Sequence, residues 1–121
     1  KALTGAWFEV MALMKKGDEK ALTFMAEASG TDLAGYKSQL DSTMMFYDAS
    51  EAVKFAVSPS LPETMKKVSE FSFDHGILGE GAPNAEFIGM EFPGGKTFGD
   101  TKNLKLRFTD TYVKMAAEGK L

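Results

Sequence analysis

The run Ser60-Leu61-Pro62-Glu63-Thr64-Met65-Lys66-Lys67-Val68-Ser69-Glu70-Phe71-Ser72-Phe73-Asp74-His75-Gly76 carries the clearest helix signal in the chain. Ser60 and Glu63 have the spacing of a reciprocal capping box, and Pro62 falls in the first turn, where no amide donor is missed. Leu61, Met65, Val68 and Phe71 share a helical face, and Gly76 offers a left-handed stop, so the pattern predicts a helix of about four turns. Upstream, Pro59 stops a short helix carrying Val53, Phe55 and Ala56, which opens at Asp48 and Glu51 with the same reciprocal capping spacing.

The segments further out extend this helical pattern toward the N-terminus. Leu3, Trp7, Val10, Met11 and Met14 recur at helical spacing, and Lys15-Lys16 followed by Gly17 place cations and then a stop where a helix C-terminus favours them. Asp18 caps a second helix bearing Leu22, Met25 and Ala26 up to Gly30, and Thr31 or Asp32 opens a third with Leu33, Tyr36 and Leu40. Beyond Gly76 the chain turns rich in glycine, with Pro83 and Pro93 among the glycines. There Phe87, Ile88, Met90 and Phe92 form a short strand, weakened by Gly89, and Pro93-Gly94-Gly95 reverses it onto Lys96 to Phe98. Leu104, Leu106 and Phe108 alternate with Lys105 and Arg107, and Thr109 caps a last helix with Tyr112, Val113, Ala116 and Ala117, stapled by Phe108 against Val113. The expected class is mainly α: five to six helices in a single domain over residues 1–121, with a short β-hairpin or extended segment near the C-terminus.

Composition narrows the function classes. The chain has 121 residues, 44% hydrophobic and 26% charged, ordinary values for a globular chain and far from the signature of disorder. Its net charge of -3 supplies no cationic field for phosphate backbones, so no nucleic-acid partner is expected, and Lys15-Lys16 and Lys66-Lys67 read as solvated helix residues. Cysteine is absent, which removes disulfides, thiolate metal sites and cysteine nucleophiles. No acidic loop has calcium-site spacing, so no metal is expected, and nothing calls for a cofactor. No run approaches the eighteen or so apolar residues that span a bilayer. The chain starts at Lys1 inside an apolar pattern, with neither initiator methionine nor signal peptide, which suggests a piece of something longer.

Candidate chemistry is sparse. His75, the single histidine, follows Asp74 at a helix end; neighbours on a helix do not face each other and no nucleophile is spaced near them, so the pair reads as surface rather than as an acid-base couple. Gly79-Glu80-Gly81 lacks the third glycine and the flanking elements of a dinucleotide fingerprint and reads as a turn. The ten phenylalanines and eight methionines exceed what a core of this size asks for, so part of the apolar surface is expected to face another part of the protein. Thr43-Met44-Met45-Phe46-Tyr47-Asp48 is an apolar and aromatic run ending at a helix N-terminus, read either as a buried connector or as the wall of a small-ligand site. Trp7 reads as core, with a wall of that site as the other reading. The candidate ligand residues are Trp7, Thr43, Phe46 and Tyr47, and none is catalytic.

Three segments also carry a family likeness. Lys1-Ala2-Leu3-Thr4-Gly5-Ala6-Trp7-Phe8-Glu9, Glu70-Phe71-Ser72-Phe73-Asp74-His75-Gly76-Ile77-Leu78-Gly79, and Gly89-Met90-Glu91-Phe92-Pro93-Gly94-Gly95-Lys96 through Leu106-Arg107-Phe108 resemble the C-terminal part of periplasmic substrate-binding proteins of ABC importers. The branch is that of nitrate, taurine and sulfonate receptors, including members encoded beside urea-degrading enzymes. The resemblance implies a two-lobed α/β fold of which this chain supplies helices packed on the first lobe. It also implies a periplasmic or extracytoplasmic location, a small-molecule solute and an ABC permease as partner, and no enzymatic activity. It matches no ligand residue. Helices parted from their sheet would expose apolar faces, so the isolated chain is expected to self-associate or to repack into a compact helical domain. The alternative is a stand-alone helical module that docks a partner protein or a copy of itself.

Overall fold

The computed structural model describes all residues, 1–121. The chain is mainly helical, as expected, with a small mixed sheet near the C-terminus. Its helices are α1 (Ala2–Lys15), α2 (Glu19–Ala28), α3 (Leu33–Asp41), α4 (Ala49–Ala56), α5 (Ser60–Asp74) and α6 (Thr111–Ala117). The strands are β1 (Gly89–Glu91), β2 (Thr97–Phe98) and β3 (Leu104–Arg107), with a 3₁₀ turn over Thr101–Asn103 before β3. No helix is long and apolar enough to cross a membrane. The residues fall into two compact units, the first made of Lys1–Val53 with Thr111–Leu121 and the second of Lys54–Asp110, so the division lies within α4.

In the first unit local capping chemistry sets the helix starts. The Asp18 carboxylate accepts the Ala21 amide at 2.9 Å, and the Asp32 carboxylate accepts the Gly35 amide at 2.7 Å, so Asp32 rather than Thr31 opens α3. Met11, Met14 and Leu22 form the buried cluster, with Phe8, Met25, Leu33, Tyr36, Leu40, Met45 and Tyr47 packed around it. The Tyr36 hydroxyl donates to the Met25 sulfur at 3.5 Å, which gives that polar end a partner among these side chains. α6 returns to pack on α1.

The second unit departs from expectation at the start of α5. Pro59 already has helical dihedrals, φ −64 and ψ −18, and Ser60 makes no capping box with Glu63. The Ser58 hydroxyl instead accepts the Ser60 amide at 3.2 Å and pairs with the Ser60 hydroxyl at 2.7 Å. Pro62 sits in the first turn, where a missing donor does no harm, and Pro59 takes the cap position itself, where its missing donor is one the helix never uses. The buried face of α5 is rotated from the expected one: Leu61 and Met65 pack inward as expected and Ser69 is buried beside them, whereas Val68 and Phe71 are exposed. Ser69 fits where a branched side chain would not, and its hydroxyl donates to the Ala85 carbonyl at 2.5 Å, tying the glycine-rich loop to the helix.

The expected hairpin forms, with β1 confined to Gly89–Glu91 instead of reaching from Phe87 to Phe92. β1 pairs with β2 antiparallel and with β3 in parallel, giving the order β2-β1-β3. Gly89 is required by a close approach: a Cβ there would sit 2.1 Å from the Asp100 carbonyl oxygen. Gly99 has φ +75, and its Cβ would sit 2.3 Å from the Ile88 carbonyl oxygen. The glycine that weakens the strand by propensity is therefore the one that lets the returning chain cross it. Asn103 fastens this crossing by donating to the Phe87 carbonyl at 2.7 Å, and Arg107 faces its register partner Glu91 at 3.3 Å. Leu61, Met90 and Phe92 form the buried cluster, and Phe108 stacks on Phe92 with ring centroids 5.0 Å apart. Phe108 is thus engaged within this cluster, and α6 begins at Thr111, which moves its start past Thr109.

Three substitutions probe these points in urea unfolding. Ser58→Ala is expected to cost about 1 kcal/mol through loss of the α5 cap, with a smaller cost for Ser60→Ala, the reverse of what a capping box would give. Gly89→Ala is expected to cost about 2 kcal/mol or more, because the opposing atom is backbone and cannot rotate away.

Candidate functional site

An apolar groove of about 620 Å³ lies in the first unit. α1 supplies Leu3, Thr4, Trp7, Phe8 and Met11; the connector before α4 supplies Met44, Met45 and Phe46; Ala52 and Val113 complete it. The volume is that of a small-ligand site. Its chemistry is one-sided, since Thr4 carries the only hydroxyl among these side chains and none of them is charged. Met11 belongs to the buried cluster and forms the floor, whereas Leu3 (83% exposed), Met44 (78%) and Trp7 (55%) stand at the mouth. The arrangement is suited to holding apolar matter and has no group that transfers a proton or stabilises a developing charge.

The four residues singled out from sequence part company here. Trp7 and Phe46 meet in the groove, and Trp7 is half-exposed rather than core. The Thr43 hydroxyl donates to the Gln39 carbonyl at 2.7 Å and so closes the end of α3. Tyr47 packs against the Met11, Met14 and Leu22 cluster. Leu3, Thr4, Ala52 and Val113 were not foreseen, because each is an ordinary helix position brought to the groove only by the packing of α1, α4 and α6. His75 stacks on Phe71, centroids 3.9 Å apart, and its Nδ1 donates to the Phe71 carbonyl at 2.8 Å. No group of three or more histidine, aspartate or glutamate side chains converges anywhere in the chain.

One ion pair anchors the connector that carries Met44 to Phe46. Lys15 Nζ lies 2.5 Å from Asp48 Oδ2, joining the end of α1 to the residue before α4. Asp48 therefore spends its carboxylate on Lys15 rather than on capping, and its backbone carbonyl takes the Glu51 and Ala52 amides. The hydrogen bond to Asp48 raises the Lys15 pKa above its ordinary value, opposed by desolvation and helped by the charges of Asp48 and Glu51.

No family model, no curated protein and no solved structure matches the chain.

The Lys15 shift has a definite sign. A lysine held above its unfolded value of 10.5 adds stability that is fully present below that pH and is lost as pH rises through the folded value. Thermal melts between pH 9 and 12 are expected to fall more steeply for the native chain than for Lys15→Met, and equal slopes would show that the pair does nothing for the fold.

Proposed function

We propose that the chain is the C-terminal helical part of a periplasmic solute-binding receptor of an ABC importer, which presents a small polar or anionic solute to a permease and performs no chemistry on it. One observation supports this beside the resemblance of residues 1–9, 70–79 and 89–108 to such receptors: α1 is mostly apolar yet mostly uncovered. Met11 and Met14 are buried in their own unit, while Leu3, Val10 and Leu13 stay exposed. Exposed apolar residues gathered on one helix mark a surface that another element covers, as the sheet of a two-lobed receptor covers its helices. In this reading Trp7 and Phe46 wall the carbon skeleton of an organic solute, and its polar head is met outside the groove.

A second reading is favoured by the groove itself. An open apolar concavity flanked by a half-exposed tryptophan also suits the apolar side chains of a partner protein, so the alternative is a helical interaction module that binds no solute.

Thermal melts with nitrate, taurine, alkyl sulfonates, urea and small amines separate the two. A bound solute stabilises by mass action, by about 2.7 kcal/mol at a hundredfold excess over Kd. The receptor reading expects an organic sulfonate to raise Tm and to change the fluorescence of Trp7, the chain's single tryptophan, with both effects lost in Trp7→Ala. No shift with any compound would overturn it in favour of the interaction module.

A further inference from the structure

The chain has eight methionines and no cysteine, so its oxidant-sensitive sulfur is all thioether. Susceptibility of a thioether follows its exposure, and exposure divides these methionines sharply. Met11, Met14 and Met90 are buried, at 3%, 7% and 3%, and Met25, Met45, Met65 and Met115 are part-buried. Met44 alone is open, at 78%. Its neighbour Met45 shares its local sequence but packs against the Met11, Met14 and Leu22 cluster, so the pair differs in burial and little else. Met44 also lines the mouth of the apolar groove, opposite no charged side chain.

We propose that Met44 is the oxidant-sensitive site of this chain: a peroxide converts its thioether to the sulfoxide ahead of the other seven methionines, and the added oxygen makes the groove mouth polar. In the step a sulfur lone pair attacks one peroxide oxygen. The S–O bond forms as the O–O bond breaks, sulfur loses two electrons, and the departing oxygen leaves as water after taking the proton of the transferred one. The product is a strong hydrogen-bond acceptor placed where the lining side chains offer only the Thr4 hydroxyl and the Trp7 indole N–H as donors, so apolar matter seated there desolvates an oxygen that it cannot satisfy. Sulfoxide reductases reverse the change. The inference needs only the exposure of Met44 and its place in the groove, and it stands whether the occupant is a solute or a partner protein.

The test treats the full chain with limiting hydrogen peroxide, digests it with trypsin and locates added oxygen by tandem mass spectrometry, which resolves Met44 from Met45 within the peptide 38–54. Met44 is expected to oxidise on the order of tenfold faster than Met11, Met14 and Met90, and Met44→Leu to abolish the fast phase. Binding of anilinonaphthalene sulfonate, read by energy transfer from Trp7 so that only dye near the groove counts, is expected to weaken roughly fivefold once Met44 is oxidised. The Met44→Leu chain keeps its dye affinity through the same treatment, and the helical circular dichroism of both is unchanged. Oxidation of any other methionine first, equal rates at Met44 and the buried positions, or undiminished energy transfer after Met44 oxidation each overturns the proposal.

Discussion

Two small clusters, Met11 with Met14 and Leu22, and Leu61 with Met90 and Phe92, are all the buried hydrophobic cores that these helices and strands enclose. That limit governs the rest. Short helices joined by tight turns expose more apolar face than such cores can cover, so Leu3, Phe24, Phe71 and Ile77 remain largely in solvent. Singly, such residues are ordinary on a protein surface. On α1 they are not single, because the same helix that roofs the core also walls the groove, and Leu3, Val10 and Leu13 stay exposed along it.

The groove inherits its character from this shortage of interior. Its floor is the outer side of the Met11 cluster, and Phe8 and Met45, which pack on that cluster, line the groove as well. Methionine suits such a place, since an unbranched thioether fills irregular space on either side of a boundary. The anchoring ion pair is exposed and contributes position more than stability: Lys15 and Asp48 fix where the connector starts back toward α4, and so where Met44 and Phe46 stand.

What could be read from sequence was what is decided within a turn or two. Asp18 and Asp32 each cap through a residue three positions on, and the hairpin at Pro93-Gly94-Gly95 closes over a few residues. Ser58 and Ser60 show the limit even there, since two serines flank one proline and either could have capped; the rigid φ of Pro59 favoured the earlier start. Val68 and Phe71 were assigned to the core by period alone, yet the period cannot say which side of a helix the loop carrying Ala85 will cover. The parallel pairing of β1 with β3 and the meeting of Leu3 with Val113 join residues far apart in the chain, and no local pattern encodes either. Of the candidate site, Phe46 was legible as an aromatic in a connector, whereas Trp7 on the apolar face of α1 read as core and stands half-exposed, and Thr43 satisfies its own helix end, a local bond that its spacing from Gln39 already permits.

The packing of α6 on α1 gives the first unit a discontinuous chain, interrupted by the whole of Lys54–Asp110. A polypeptide made from its N-terminus acquires the continuous unit's residues before α6 exists. Residues 54–110 hold all their strand partners in one stretch and can close early, whereas α1, once packed on α2, still waits for α6 until Thr111–Ala117 arrives. The helix with the most apolar surface is therefore the one left longest without its neighbour during synthesis, which makes it the segment where a chaperone or a neighbouring nascent chain would first find a hold.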